Sequence, residues 1–106
     1  MLSPESEFQM ALCLISYDIN HKNESEYPDL WASLKRWGAV KILFSEWIGT
    51  GDMGSGSSIY KELSLLIKQN DRLLVQEIGR DCAWGRLLIS DETFRQILIR
   101  TLDCRF

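Results

Sequence analysis

The stretch AVKILFSEWIGTG, residues 39 to 51, decides how the chain is read. It is dense in β-branched and aromatic residues, which fit a pleated and half-buried surface. At thirteen residues it exceeds one ordinary strand of five or six. Two strands meeting near Ser45 and Glu46, in a tight hairpin or at a bulge, account for that length; one long bent strand is the alternative. With two strands here, the flanking segments fall into a recognisable order.

Upstream, Tyr27, Leu30, Trp31, Leu34 and Trp37 recur at spacings of three and four, the stripe of an amphipathic helix. Pro28 suits its first turn, where the missing N–H is not needed, and Gly38 supplies the stop. Before that lies a polar loop, INHKNESEYP, and before the loop the run ALCLISYDIN. Leu12, Leu14, Ser16 and Asp18 alternate with Cys13, Ile15 and Tyr17, and both sets are largely apolar. A strand of this kind belongs at the centre of a sheet, covered on both faces.

Downstream, residues 49 to 58 (GTGDMGSGSS) are a low-complexity connector. Ser57 or Ser58 is the expected cap of a second helix carrying Ile59, Leu63, Leu66 and Ile67, with Glu62 placed for a capping box and Lys68 to Asn70 closing it. RLLVQEIG reads as a further strand and GRLLI as a short fifth one. A last helix, capped by Ser90 or Asp91, carries Phe94, Ile97, Leu98 and Thr101. The predicted architecture is α+β, a ferredoxin-like βαββαβ sandwich with a short C-terminal strand and helix appended. Residues 1 to 9 form a loose lead-in and 10 to 106 a single domain. The two helices of the βαββαβ unit are expected to cover one sheet face. If Leu12, Leu14, Leu74 and Ile78 line the other, a second copy is its natural cover.

Composition bounds the function. The 106 residues hold 12 Lys and Arg against 15 Asp and Glu, a net charge of −3, which lends no general support to a protein living on phosphate contacts. Lys35, Arg36 and Lys41 can still form a local basic patch. The longest uncharged apolar run, Met10 to Tyr17, is far short of the ~20 residues of a membrane helix. Cys13, Cys82 and Cys104 cannot all pair and make no CxxC motif, so free thiols in a cytoplasmic, reducing compartment are expected. The N-terminus carries Glu5 and Glu7 and lacks a basic region, unlike a signal peptide.

Asp18, Tyr17 and Ser16 close the first strand, and Asn70-Asp71-Arg72-Leu73-Leu74-Val75 enters the fourth. On these pieces, across roughly residues 10 to 80, the chain resembles the family of the second CRISPR-associated protein and its SinR-like relatives. The resemblance implies a ferredoxin-like homodimer joined across the sheet face, with a hydrophilic cleft on the dimer axis. It also implies that Asp18 and its two-fold mate hold a divalent metal, Mg²⁺ or Mn²⁺, in a nuclease acting on RNA or DNA. Leu43-Phe44-Ser45-Glu46-Trp47 and the segment beyond residue 80 depart from that family's pattern.

Read from chemistry alone, Asp18 has two roles open to it. Two carboxylates brought together by symmetry repel unless a cation intervenes, and Mg²⁺ prefers such oxygen ligands. Alternatively, Asp18 starts a turn and accepts from backbone amides near Asn20. His21, the sole histidine, is a candidate proton shuttle or a solvated loop residue. Gly49, Gly51 and Gly54 spell GxGxxG, but after an antiparallel hairpin the motif reads as a connector, not a dinucleotide loop. Trp31 and Trp37 belong to the helix stripe, which leaves Trp84 as the candidate exposed aromatic. A non-catalytic dimeric scaffold or nucleic-acid adaptor, or a toxin-like partner protein, stands beside the metal-dependent nuclease.

Overall fold

The decisive stretch forms two strands, β2 (Val40–Leu43) and β3 (Glu46–Gly49), joined through Phe44 and Ser45 with a register shift between Lys41 and Leu43. The structure, a computed structural model, describes residues 12–19, 24–49, 55–79 and 81–102. The expected lead-in, residues 1 to 9, lies outside them, as do Asn20, His21, Gly51, Gly54 and Cys104. Two further strands, β1 (Cys13–Asp18) and β4 (Arg72–Glu77), and three helices, α1 (Pro28–Arg36), α2 (Gly56–Ser64) and α3 (Asp91–Leu102), complete a small α+β fold. The sheet runs β2-β3-β1-β4 and every neighbouring pair is antiparallel. Among the described residues no helix is long and apolar enough to cross a membrane.

One face of the sheet carries α1 and α2. Cys13, Ile15 and Tyr17 of β1 are buried there with Trp47, Leu30, Leu34, Ile59 and Leu63. The stripe predicted for α1 is the one that packs. Its end is a Schellman motif: Gly38 N–H donates to the Lys35 carbonyl (3.0 Å) and Ala39 N–H to that of Leu34 (2.9 Å). This requires Gly38 to turn left-handed, and its φ is 73°. Gly38→Ala is therefore expected to lower stability by about 1 kcal/mol, read from the urea midpoint at unchanged slope.

α2 begins earlier and ends sooner than its apolar stripe indicates. Its cap is Ser55, not Ser57 or Ser58: the Ser55 hydroxyl accepts from Ser58 N–H at 3.2 Å. Glu62 closes no capping box and pairs with Arg36 across to α1 at 3.2 Å. The helix stops at Ser64, though Leu66 and Ile67 still pack against the core from the turn that follows. A stripe reports which residues face inward, and inward-facing residues continue past the last helical turn. For α3 the cap is Ser90, whose hydroxyl accepts from Thr93 N–H at 3.1 Å.

The second sheet face corrects a central expectation. It is not left bare: Leu12, Ile42 and Ile48 are buried beneath Phe94, Ile97 and Leu98 of the chain's own α3. GRLLI forms no fifth strand. Residues 85 to 89 are irregular, Arg86 turns to a φ of 55°, and one backbone bond, Leu88 N–H to the Ile42 carbonyl (2.9 Å), ties the segment to β2. A residue in the left-handed region cannot continue a strand. The cover is partial. Leu14 and Ile78 are half-buried, and Leu74 remains 58% exposed.

Candidate functional site

Side chains alternate along a strand, so pairing register decides which residues share a face. Ser16 stands opposite both Glu46 of β3 and Leu74 of β4, and Asp18 stands opposite Arg72. These five therefore gather on the second sheet face, where α3 leaves Asp18, Arg72 and Leu74 exposed. A shallow hollow of about 280 Å³ opens here, lined by residues 16 to 18 and 72 to 74.

Two polar contacts organise the patch. Arg72 donates from Nη1 to Asp18 Oδ2 at 3.0 Å, with side chains 82% and 68% exposed. Ser16 donates to Glu46 Oε2 at 2.5 Å, the short distance of a hydroxyl on a carboxylate. The Asp18 carboxylate thus has a cation of its own within the chain. An ion pair this exposed contributes less than about 1 kcal/mol to stability, so it is open to exchange. Sequence reasoning picked Asp18 and missed its neighbours. Arg72 lies within the quoted Asn70–Val75 segment, but its pairing depends on strand register across the sheet.

The other candidates are dispersed. His21 lies outside the described residues. Tyr27, just before α1, bonds Asp71 at 2.7 Å, which places the start of that helix at the Asp18 end of the sheet. Lys35 and Arg36 occupy its last turn, about 10 Å further along at 1.5 Å per residue. There Arg36 is engaged by Glu62 and lies over the Trp37 ring at 5.8 Å. Lys41 is half-buried opposite Trp47, on the helix-bearing face. Geometry does not bring these cations to Asp18.

Among the described residues no three His, Cys, Asp or Glu side chains are gathered to hold a metal ion. Asp18 and Glu46 share a face and offer the oxygen chemistry that Mg²⁺ or Mn²⁺ takes, but each already accepts from a neighbour. One copy of the described chain therefore does not by itself assemble a fitting set.

The tryptophans are mostly structural. Trp31 stacks on Trp47 with ring centres 6.1 Å apart, and Trp47 donates from Nε1 to the Tyr17 hydroxyl at 3.1 Å. Trp84, expected to be exposed, is half-buried against Phe94 with centres 4.9 Å apart. Cys13 and Cys82 are free thiols. Burial, with Glu77 adding to it, pushes the Cys13 thiol up to about 11. Cys13 is expected to resist iodoacetamide in the folded protein at pH 8 and to react on unfolding, as peptide mass mapping will read. Because its folded value lies above the ordinary 9.0, its contribution to stability is complete below pH 9 and is lost as pH rises towards 11.

The chain matches no family model.

Proposed function

We propose that this chain is a ferredoxin-like module, related to the second CRISPR-associated protein, that works by self-association as a non-catalytic scaffold. The observation carrying this reading is the cross-strand pair of Asp18 with Arg72 at 3.0 Å. Asp18, the carboxylate on which a metal site would rest, already pairs with a neighbour, beside an apolar side chain left open at Leu74. The ferredoxin-like assignment draws support from the run β1-α1-β2-β3-α2-β4 and the antiparallel order β2-β3-β1-β4. Dimerisation draws support from the same patch. Leu74 offers apolar area, and Asp18 with Arg72 presents both signs of charge, so two copies facing each other can exchange ion-pair partners. Free thiols at Cys13 and Cys82 fit a cytoplasmic setting.

The test joins mass to activity. Sedimentation equilibrium of the full chain is expected to give twice the 12.3 kDa chain mass, and Leu74→Arg to give the single-chain mass. Incubation with single- and double-stranded RNA and DNA is expected to show no more cleavage in Mg²⁺ or Mn²⁺ than in EDTA. A single-chain mass for the wild type would sink the scaffold reading.

The metal-dependent nuclease is the second reading, favoured by the exposure of Asp18 and its sharing of a face with Glu46. In it, Asp18 from two copies holds Mg²⁺ or Mn²⁺, and Lys35 and Arg36 in the last turn of α1 contact the phosphate backbone further along. Metal-dependent cleavage that disappears in Asp18→Ala would establish it.

A further inference from the structure

A separate groove lies between the second sheet face and the irregular segment that crosses it. It has a volume of about 260 Å³, room for a small organic molecule, and its walls include Leu14, Ile42, Ile78, Trp84 and Leu87. One carboxylate, Glu46, reaches the same groove, and among the described residues no lysine or arginine lines it. Glu46 is half-buried, and no described lysine or arginine pairs with it. Ser16 holds its Oε2, which fixes the carboxylate and leaves Oε1 to accept from a ligand. Of the nearby cations, Arg95 is committed elsewhere: it lies 6.0 Å from the Trp84 ring centre and pairs with Glu92 at 3.1 Å.

An apolar slot with one oriented carboxylate, paired with no described cation, selects for a particular ligand. The body must be hydrophobic to replace water on Leu14, Ile78 and Leu87, and the head must be a hydrogen-bonding cation. Trp84 adds an aromatic wall suited to a flat ring. We infer that this groove binds a small aryl-alkyl primary amine, its ring between Trp84 and the sheet and its ammonium on Glu46. An acid of the same shape is repelled. A neutral alcohol of the same shape keeps the ring contacts and loses the charge-assisted bond. The site shares the Ser16–Glu46 contact with that patch but not the Asp18–Arg72 pair, and ligand shifts are read separately from the oligomer mass that tests the scaffold reading.

The test is a titration of the ¹⁵N-labelled full chain with phenethylamine, phenethyl alcohol and 3-phenylpropionate, followed by ¹H–¹⁵N correlation spectra. Phenethylamine is expected to shift the Trp84 indole and the Leu14 and Glu46 amides, with a Kd about tenfold below that of the alcohol. The carboxylate probe is expected to leave these signals in place. Glu46→Gln should bring the amine to the affinity of the alcohol. Equal affinities for all three probes, shifts confined to other residues, or no shifts at millimolar amine would each overturn the assignment. The ranking on the wild type decides even where Glu46→Gln fails to fold.

Discussion

A chain that stops at Ile89 is expected to lose its stable monomeric fold. The helix it would lack, α3, buries Phe94, Ile97 and Leu98 to 3%, 2% and 0% exposure, and their sheet partners Leu12, Ile42 and Ile48 to 1%, 2% and 0%. Full burial of such side chains contributes about 1.5–3 kcal/mol each. Removing α3 discards three of them and uncovers the other three. The loss is comparable with the roughly 5–15 kcal/mol that holds a whole domain together. The truncated chain therefore has two outcomes: it unfolds, or it covers Leu12, Ile42 and Ile48 with another molecule. Circular dichroism melting and size-exclusion light scattering separate these from the alternative. A truncated chain that stays monomeric with an unchanged midpoint would show that α3 is an ornament on a fold complete without it.

That result bears on the proposed dimer. Self-association across an entirely bare sheet is the arrangement expected from a βαββαβ unit, but here α3 occupies part of that surface. Among the described residues, that face leaves the strip around Ser16, Asp18, Arg72 and Leu74 for a second copy. The truncated chain and the full chain should therefore associate through different surfaces. Leu74→Arg is expected to dissociate the full chain and to leave association of the truncated one largely intact, since Leu12 and Ile48 would drive it. One substitution thus distinguishes a specific interface from hydrophobic collapse.

What could be read from the sequence was local. The hairpin announced itself through a thirteen-residue run too long for one strand, and α1 through five aromatic and leucine residues bracketed by Pro28 and Gly38. What escaped was long-range. The stripe Phe94, Ile97 and Leu98 says that a helix has an apolar face, but not which sheet face it meets. GRLLI looks like a strand by composition, yet Arg86 breaks its extension and the segment meets β2 through a single backbone bond. Asp18 could be placed at a strand end, whereas its cation lies 54 residues away and is found only once β1 and β4 are in register.

The second large effect expected is at Ile15. It occupies the middle of β1, between β3 and β4, opposite Trp47 and Val75, and is fully buried under the two helices. Ile15→Ala removes three carbons at a site with little room to relax, because regular strands flank it and Leu30, Leu34, Ile59 and Leu63 belong to the same packed cluster. The cost combines lost transfer energy with the cavity left behind, about 2–5 kcal/mol for this change. Leu74→Ala, one position along the sheet but on the open face, loses a side chain already 58% in water. It is expected to cost less than about 1 kcal/mol in a monomer. The contrast is a test of register as much as of burial, since a one-residue slip of β1 would turn Ile15 to the other face and Ser16 inward. Urea midpoints for the two variants, measured at a concentration low enough to hold the chain monomeric, should differ in that order. Equal losses would mean that the pairing of Ile15 with Val75 and of Ser16 with Leu74 is wrong, and with it the placement of Asp18 beside Arg72.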